Sequence, residues 1–340
     1  MRFFVQANSV RHRFALEWLE EVGGSALAGW GWQLDKELTF IENVLLKRKF
    51  MGKTGVLIAG PTASGKSALA ISIAQKTDGL IINTDSMQVY DVLNILSARP
   101  QPEDLRKAEH CLYGHVPPST RYSTGEWLRD AVAIMKSSQF EDRTLIFVGG
   151  TGLYFQALLE GITDVPPIAP DIVEQVEDEV AGLDRGQRID MLNASDPNMA
   201  ERLLEPDKQR LVRVISVLRA TGKSLAYWQD RGQVGQLDDF SLEKIVVDPG
   251  RDVVRERIAQ RFVMMMSQGA DEEVQQILAL GLQKNLPAMK AIGVREISQL
   301  LSGELSPEEA IERAITASHQ YAKRQRTWFR KQMSDWEWRG

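Results

Sequence analysis

Short apolar runs alternate along the chain with stretches of helical periodicity. The clearest runs are Gly55–Ala59 (GVLIA), Leu80–Asn83 (LIIN) and Leu145–Val148 (LIFV). Runs of this kind are typical of strands in a parallel sheet, because helices cover both faces of such a sheet. Strands separated by helices imply right-handed crossover connections. The pattern therefore predicts an α/β fold with a parallel sheet flanked by helices.

Helical periodicity fills most of the remaining chain. The final helix is expected from Ser306 to about residue 332. Ser306 supplies the N-cap, Pro307 stands in the first turn, and Glu309 completes a capping box. Further helices are predicted at 67–77, 123–138, 152–160, 208–221, 251–267, 270–280 and 292–302.

A proline cluster divides the predicted core. Pro166, Pro167 and Pro170 mark a boundary, and the acidic stretch that follows, to about Asp207, is typical of short helices. We expect an inserted small helical subdomain at 166–207. The α/β core then comprises 55–165 and resumes in 208–340, which ends in a helical, basic part.

Residues 1–54 form a predicted N-terminal extension of different character. The first 14 residues are basic and aromatic and hold no apolar core of signal-peptide length. A short amphipathic helix is possible at 13–21, before several glycines. Because Met51 stands just before the first strand, we hypothesise that it is the natural start and that a chain beginning there keeps full activity. The alternative is a genuine extension that packs on the surface.

Composition limits the classes of protein that fit. The 340 residues are 43% hydrophobic and 26% charged, which is ordinary for a globular protein with a sizeable core. Cys111 is the single cysteine, which excludes an internal disulfide and a zinc site built from several thiolates. No apolar run approaches the roughly 18 residues of a membrane span. We expect a cytoplasmic monomer without membrane association.

Charge is unevenly distributed. The formal net charge is −5, yet 163–207 carry twelve acids and three bases, whereas 208–340 carry seventeen acids and twenty-one bases. The segment 321–331 (YAKRQRTWFRK) has five bases and no acid. A phosphate-binding face needs only such a local stripe. The alternative is a solvated helix face, with Trp328 and Phe329 in the core.

The residues after the first strand match the phosphate-loop pattern G-x-x-x-x-G-K-[ST]. The loop lies between a strand and a helix, as the pattern requires. Its backbone N–H groups and the helix N-terminus can surround an anion, Lys66 adds a positive charge, and the Ser67 hydroxyl can ligate magnesium. The pattern indicates a diphosphate or polyphosphate without specifying ATP. Its members are Gly60, Pro61, Thr62, Ala63, Ser64, Gly65, Lys66 and Ser67.

Two polar residues follow the other strands. Asp85 stands after the second run, where ligand-facing residues of open α/β sheets lie. Its carboxylate can hold magnesium through water, accept a proton from a nucleophile, or cap the next turn. After the third run stand Gly149, Gly150 and Thr151, where an ATPase typically has an aspartate for magnesium. Thr151 can bond substrate, orient Asp85 or cap the next helix.

Several blocks in order resemble the tRNA dimethylallyltransferase (isopentenyl-tRNA transferase) family, from about Gly55 to the C-terminus. Any one block is weak, but their order is specific. The family implies a P-loop NTPase-like fold of the bacterial type without a zinc finger. The blocks are GPTASGKS, DSMQVY, GGTGLYF, DKQRLVR (207–213), TGKSL (221–225), RIAQRF (257–262), KAIGVRE (290–296) and AKRQRTWFR.

The resemblance implies a reaction and roles for individual residues. The reaction moves a dimethylallyl group from dimethylallyl diphosphate to the amine of the adenosine 3′ to the anticodon, in tRNAs reading codons that begin with U. Mg²⁺ would assist, and the partner would be the tRNA anticodon stem-loop. Asp85 would be the general base, Thr151 would contact the same substrate end, and Lys66 and Arg261 would hold diphosphate. The implied tRNA contacts are Asp85, Ser86, Met87, Gln88, Thr151, Val173, Gln209, Arg210, Leu211, Val212, Arg213, Lys290, Ala291, Ile292, Gly293, Val294 and Arg295.

Two departures and two competing functions accompany this resemblance. Residues 95–100 (ILSARP) place Arg99 where the family more often has lysine, and Val294 stands where tyrosine is frequent. One competing function is a small-molecule or nucleoside kinase, in which Asp85 activates a hydroxyl. The other is a non-catalytic P-loop RNA-binding module. Lys66, Ser67 and Asp85 argue against the latter.

Overall fold

A computed structural model describes residues 39–45 and 53–340 of the chain. Six strands form one sheet in which every neighbouring pair is parallel, in the order β3-β2-β4-β1-β5-β6. The predicted α/β class with a parallel sheet is confirmed. The strands are β1 (Thr54–Ala59), β2 (Leu80–Asn83), β3 (Glu109–Cys111), β4 (Leu145–Gly149), β5 (Ser241–Val247) and β6 (Glu337–Arg339).

Three of these strands, β3, β5 and β6, are absent from the sequence prediction. Both β3 and β6 have only three residues, and β5 (SLEKIVV) starts with polar residues. Each lies beside a strand that supplies hydrogen bonds, and such pairing overrides a weak local preference.

The predicted helices are confirmed to within a few residues at their ends. Within 39–45 and 53–340, the helices that the sequence pattern does not predict are the segment 39–45 and the short α2 and α9. The helices are α1 (Lys66–Thr77), α2 (Pro102–Lys107), α3 (Thr124–Met135), α4 (Gly152–Glu160), α5 (Pro170–Ala181), α6 (Arg185–Ser195), α7 (Pro197–Arg202), α8 (Lys208–Thr221), α9 (Leu225–Gln229), α10 (Arg251–Ser267), α11 (Ala270–Ala279), α12 (Val294–Leu301) and α13 (Pro307–Gln332).

Alternate residues of the central strands face two hydrophobic layers. Leu57, Leu80 and Phe147 lie in the larger cluster with residues of α3, α4 and α11 to α13. Val56 and Ile146 point to the other face, where they pack with residues of α1 and of the helical segment 39–45. The period of two along each strand therefore gives the sheet two buried faces.

The helical segment 39–45 belongs to the predicted extension yet packs on the sheet. Phe40, Ile41 and Val44 are buried in the cluster that covers Val56. The guanidinium carbon of Arg339 on β6 lies 4.2 Å from the centre of the Phe40 ring. The predicted helix at 13–21 and the hypothesised start at Met51 lie outside the described residues.

Removal of residues 1–50 is expected to lower the melting temperature, because it exposes apolar side chains of the sheet face. Each fully buried side chain of this size contributes about 1.5–3 kcal/mol. Thermal unfolding of the full chain and of a chain that begins at Met51 measures the difference. Equal melting temperatures would show that the packing of 39–45 contributes nothing. The retention of full activity by the shorter chain stays a prediction.

The helices between β4 and β5 have a hydrophobic cluster of their own. It joins Val176 and Val180 of α5, Leu192 of α6, Met199 of α7 and residues of α8 and α9. The cluster thus continues past the predicted subdomain end at 207, so α8 and α9 pack with the acidic helices. The chain rejoins the core where the Gln236 N–H donates to the Leu158 carbonyl.

Candidate active site

The phosphate loop follows β1 and leads into α1. Ala63 and Gly65 adopt left-handed backbone conformations, with φ of 62° and 97°, that turn the loop tightly. The Ser64 N–H donates to the Pro61 carbonyl at 3.2 Å. Residue 63 is not a glycine, so its conformation is strained, as in other ligand-binding loops. The strand–loop–helix context that the sequence predicts is present.

Three cations surround this loop. Lys66 Nζ donates to the Pro61 carbonyl oxygen at 3.4 Å. Arg261 on α10 donates to the Thr62 hydroxyl, and Arg257, one helical turn earlier, donates to the Ser64 carbonyl at 3.3 Å. Arg257 is a site residue that the sequence analysis misses. Its i,i+4 spacing from Arg261 places both on one helix face, which could have indicated it.

Burial changes the titration of the two inner cations. It lowers the pKa of Lys66 from 10.5 to about 8; the Asp85 charge opposes this shift, and Arg261 adds to it. Burial also lowers the pKa of Arg261, again opposed by Asp85. Both cations therefore lie within electrostatic reach of Asp85, and a bound diphosphate would stabilise their charged forms.

Asp85 is held in a defined conformation after β2. Its N–H donates to Asn83 Oδ1 at 2.8 Å, and its Oδ1 accepts from the Met87 N–H at 2.9 Å. The turn-capping alternative is therefore correct for one carboxylate oxygen. The other oxygen, Oδ2, faces Gly150, where an added Cβ would lie only 3.2 Å from it. Half of the carboxylate remains available for a ligand.

Thr151 links the ends of β2 and β4. Its hydroxyl oxygen accepts from the Ser86 N–H at 2.9 Å, and its N–H donates to the Thr84 carbonyl at 3.1 Å. Thr151 stands at the N-cap position of α4, but its side chain does not cap that helix. Thr151 therefore holds the residues on either side of Asp85 in the chain, and its role in orienting Asp85 stays a prediction.

Gln325 on α13 joins the phosphate loop to the β4 loop, a role that the sequence analysis misses. Its Oε1 accepts from the Thr62 N–H at 2.9 Å, and its Nε2 donates to the Gly150 carbonyl at 2.9 Å. The side chain is buried, 6% exposed. A Cβ at residue 150 would lie 2.3 Å from Gln325 Nε2, so any larger residue there would displace the Gln325 amide. Nothing local in the sequence indicates this long-range contact.

Replacement Gln325→Met is expected to lower turnover by up to about 10²-fold, because it frees the phosphate loop from the Asp85 side of the site. Steady-state kinetics of the reaction that the family resemblance implies measures this, and thermal unfolding checks that the variant folds. Gln320→Met changes an exposed residue of the same helix and serves as the control. Equal turnover in the two variants would refute the positioning role.

Three tyrosines lie within electrostatic reach of Asp85. Burial raises the pKa values of Tyr113, Tyr154 and Tyr321, and the Asp85 charge is the second cause in each case. The Tyr154 ring stacks on Trp127, with centroids 4.2 Å apart. Neutral phenols and flat rings next to a carboxylate suit a planar base or an unsaturated hydrocarbon group.

The segment 95–100 (ILSARP), which departs from the family pattern, is held by a residue of α11. The buried Glu273 carboxylate accepts from the N–H groups of Asn94, Ile95 and Leu96, at 2.6 to 3.0 Å. Arg99 donates to the Tyr90 carbonyl at 3.2 Å, and it lines a small pocket with residues that include Ser67. The positive charge at 99 is therefore placed beside the phosphate-loop helix.

The predicted tRNA-contact residues divide into exposed and buried side chains. Leu211 is fully buried in the α5–α9 cluster, and Ala291 and Val294 are buried in the main core. Because those three side chains are buried in the protein, they cannot contact tRNA. Gln88 donates to the carbonyls of Ser97 and Ala98. The remaining side chains of the set are fully or partly exposed, and they are Ser86, Met87, Val173, Gln209, Arg210, Val212, Arg213, Lys290, Ile292 and Arg295.

The basic residues of the segment 321–331 on α13 differ in exposure and in their partners. Arg326 forms an ion pair with Asp248 at 2.9 Å, with side chains only 18% and 7% exposed. Arg324 is exposed, and its guanidinium lies over Tyr321 with 5.7 Å to the ring centre. The expectation that 321–331 forms one phosphate-binding stripe therefore needs correction, because Arg326 has an internal partner. Phe329 is buried in the core, as the alternative predicts.

Charge reversal is expected to affect fold stability at Arg326 and RNA binding at Arg324. Arg326→Glu leaves Asp248 unpaired and should destabilise the fold by about 3 kcal/mol. Arg324→Glu should leave stability unchanged but weaken RNA binding and its salt dependence. Urea unfolding and RNA-binding titrations at two salt concentrations separate the effects. Loss of stability in Arg324→Glu would contradict this division.

Fold and site together define a P-loop α/β protein in which a phosphate-binding loop faces a carboxylate. The chain belongs to the IPP transferase family. The family model described as IPP transferase matches residues 88–332, and the one described as isopentenyl transferase matches residues 54–114. The resemblance is thus confirmed, and the chain is a transferase of this family.

Similar proteins agree with this family. A protein named tRNA dimethylallyltransferase from Chelativorans sp. (strain BNC1) is 50% identical over 289 residues, which cover 84% of this chain and 99% of that relative. The tRNA isopentenylpyrophosphate transferase of Bacillus halodurans is 28% identical with a TM-score of 0.59, covering 84% and 89% of the two chains. A eukaryotic dimethylallyltransferase acting on tRNA is 26% identical with a TM-score of 0.68, covering 82% and 70%.

Proposed function

We propose that this protein transfers a dimethylallyl group from dimethylallyl diphosphate to the exocyclic amine of one tRNA adenosine and releases diphosphate. The acceptor is the adenosine 3′ to the anticodon, in tRNAs that read codons beginning with U. The observation that carries the proposal is the connection of the phosphate loop, through Gln325, to Gly150, which faces the Asp85 carboxylate. Lys66 and Arg261 lie within electrostatic reach of that carboxylate. Family membership favours this function over the kinase alternative.

The loop side of the site would stabilise the departing diphosphate. The bond between the allylic carbon and oxygen breaks as the amine nitrogen attacks, and negative charge grows on the diphosphate. Lys66, Arg261 and the loop N–H groups are already in place, so they stabilise that charge without reorganisation. Arg257 supports the loop through the Ser64 carbonyl.

Asp85 would act on the acceptor amine. An adenine amine is a weak nucleophile, because its lone pair is delocalised into the ring. The free oxygen of Asp85 accepts the amine proton as the new carbon–nitrogen bond forms, which prevents reversal. Tyr154 and Tyr321 bound this region with aromatic surface. The target base is stacked in an RNA loop, and its extrusion costs a few kcal/mol.

Magnesium fits the donor set of this site. The Ser67 hydroxyl would be the protein oxygen ligand, and Asp85 would hold the ion only through water. Among the described residues no group of three or more His, Cys, Asp or Glu could hold a metal, so phosphate and water oxygens would complete the coordination. Mg²⁺ usually binds to one or two protein oxygens together with phosphate oxygens and water. When bound, it would neutralise charge on the diphosphate.

No described helix, in 39–45 or in 53–340, has both the length and the apolar character required to cross a bilayer. A cytoplasmic location accompanies the proposed function, since tRNA is the acceptor. The expectation of a monomer stays a prediction.

Incubation of the protein with unmodified tRNA, Mg²⁺ and dimethylallyl diphosphate tests the proposal. Mass spectrometry of the digested RNA should find the added prenyl mass on a single adenosine. A parallel incubation with ATP and nucleosides tests for phosphorylated products. Phosphoryl transfer without prenyl transfer would favour the kinase, and absence of both reactions would favour a non-catalytic RNA-binding module.

A further inference from the structure

The TGKSL block, 221–225, has no role in the site described above. It forms the turn between α8 and α9 in the helical insertion, remote in sequence from the phosphate loop. Lys223 in this block and Arg231 just after α9 are both exposed. Between them stand Tyr227, 40% exposed, and the partly buried Trp228.

Both cations point at one neutral oxygen. Lys223 Nζ donates to the Tyr227 hydroxyl at 3.0 Å, and the Arg231 guanidinium donates to the same oxygen at 3.1 Å. The Lys223 ammonium also lies 4.2 Å from the centre of the Tyr227 ring. The hydrogen bond from Lys223, followed by the charges around it, lowers the pKa of Tyr227. The two positive charges therefore lie close together, and the neutral Tyr227 hydroxyl between them does not neutralise them.

Three other cations of the insertion have carboxylate partners. Arg219 pairs with Glu179 at 2.6 Å, Arg202 pairs with Asp230 at 2.7 Å, and Arg185 pairs with a glutamate. Within the part of the chain that the structure describes, neither Lys223 nor Arg231 forms an ion pair with a carboxylate. Two unneutralised cations side by side are a site for an external anion.

We propose that Lys223 and Arg231, held together by Tyr227, bind a backbone phosphate of the tRNA on the helical insertion. The inference rests on the proposed function for the identity of the partner. The exposed Arg210 and Arg213 stand in the first two turns of α8, and the rise along the helix from them to its last residue, Thr221, is about 12 to 17 Å. The insertion would then contact the RNA at two separated points, and the second one lies outside residues 209–213.

The test compares Lys223→Gln/Arg231→Gln with Arg185→Gln/Arg219→Gln. Both double variants remove two positive charges from the insertion, but the second removes cations that have carboxylate partners. Binding of an unmodified tRNA transcript is measured at several salt concentrations, together with kcat and both KM values. The first variant should raise the Kd for tRNA about tenfold and reduce the slope of log K against log salt by roughly 1.5. Its kcat and its KM for dimethylallyl diphosphate should not change.

A third variant separates charge from position. Tyr227→Phe keeps both cations and removes the oxygen that gathers them, so it should raise the Kd for tRNA less and leave the salt slope unchanged. Equal Kd values and equal slopes in the two double variants would overturn the inference. Titration with inorganic phosphate adds a second readout: if Lys223→Gln/Arg231→Gln lost phosphate binding but bound tRNA as the wild type does, the anion would not be RNA and the inference would also be overturned. Failure of the proposed function is distinct, because the wild-type protein would bind tRNA and form no prenylated product.

Discussion

Asp85→Asn is expected to lower kcat for prenyl transfer by roughly 10²–10⁴-fold, the usual contribution of a general base. The amide oxygen can still accept from the Met87 N–H, so the turn after β2 is preserved. The amide cannot take a proton from the adenine amine. Single-turnover kinetics with preformed tRNA complex measures the chemical step, and RNA titration measures binding, which should change little.

Asp91→Asn is the matched control for this variant. Asp91 is exposed, and it stands six residues further along the chain. It should leave kcat unchanged. Near wild-type turnover in Asp85→Asn would contradict the base assignment, whereas equal losses of turnover and tRNA affinity would reassign Asp85 to RNA binding.

Lys66→Met should lower kcat/KM for dimethylallyl diphosphate by about 10²–10³-fold, as is typical when one preorganised charge-stabilising group is removed. The reason is the loss of the cation that faces the leaving group from within the loop. Lys53→Met removes an exposed lysine near the opposite end of β1 and is the control. A variant that retains wild-type kcat/KM would show that the loop N–H groups and Arg261 suffice.

The pH dependence of the same parameter gives an independent check. The Lys66 ammonium is charged below its pKa of about 8, and the free protein loses this charge as the pH rises through that value. kcat/KM for dimethylallyl diphosphate should therefore fall above about pH 8. Bound diphosphate favours the charged lysine, so kcat should fall only at higher pH. Lys66→Arg should move the fall in kcat/KM upward, and an unchanged profile would contradict the assignment.

Local sequence predicts the elements that carry the reaction. The apolar runs identify β1, β2 and β4, because fully buried parallel strands need continuous hydrophobic sequence. The strand-end rule then places the phosphate loop, Asp85 and Thr151 at one edge of the sheet. These placements follow from topology, and the structure agrees with them.

Long-range contacts account for what the sequence does not predict. Gln325 lies 263 residues from Thr62, and no periodic pattern connects them. Arg326 belongs to a basic run, but its partner Asp248 follows β5, a strand that the pattern does not predict. The insertion continues past residue 207 because α8 shares its hydrophobic cluster. Each case depends on which elements meet in space.

The central claim is that the phosphate loop and Asp85 face one reacting centre. A crystal structure of the protein with tRNA and an unreactive thio analogue of dimethylallyl diphosphate tests it most directly. The account predicts the diphosphate against Lys66 and Arg261, with the adenine amine within about 3 Å of Asp85. An adenosine bound away from Asp85, or a diphosphate bound outside the loop, would contradict it.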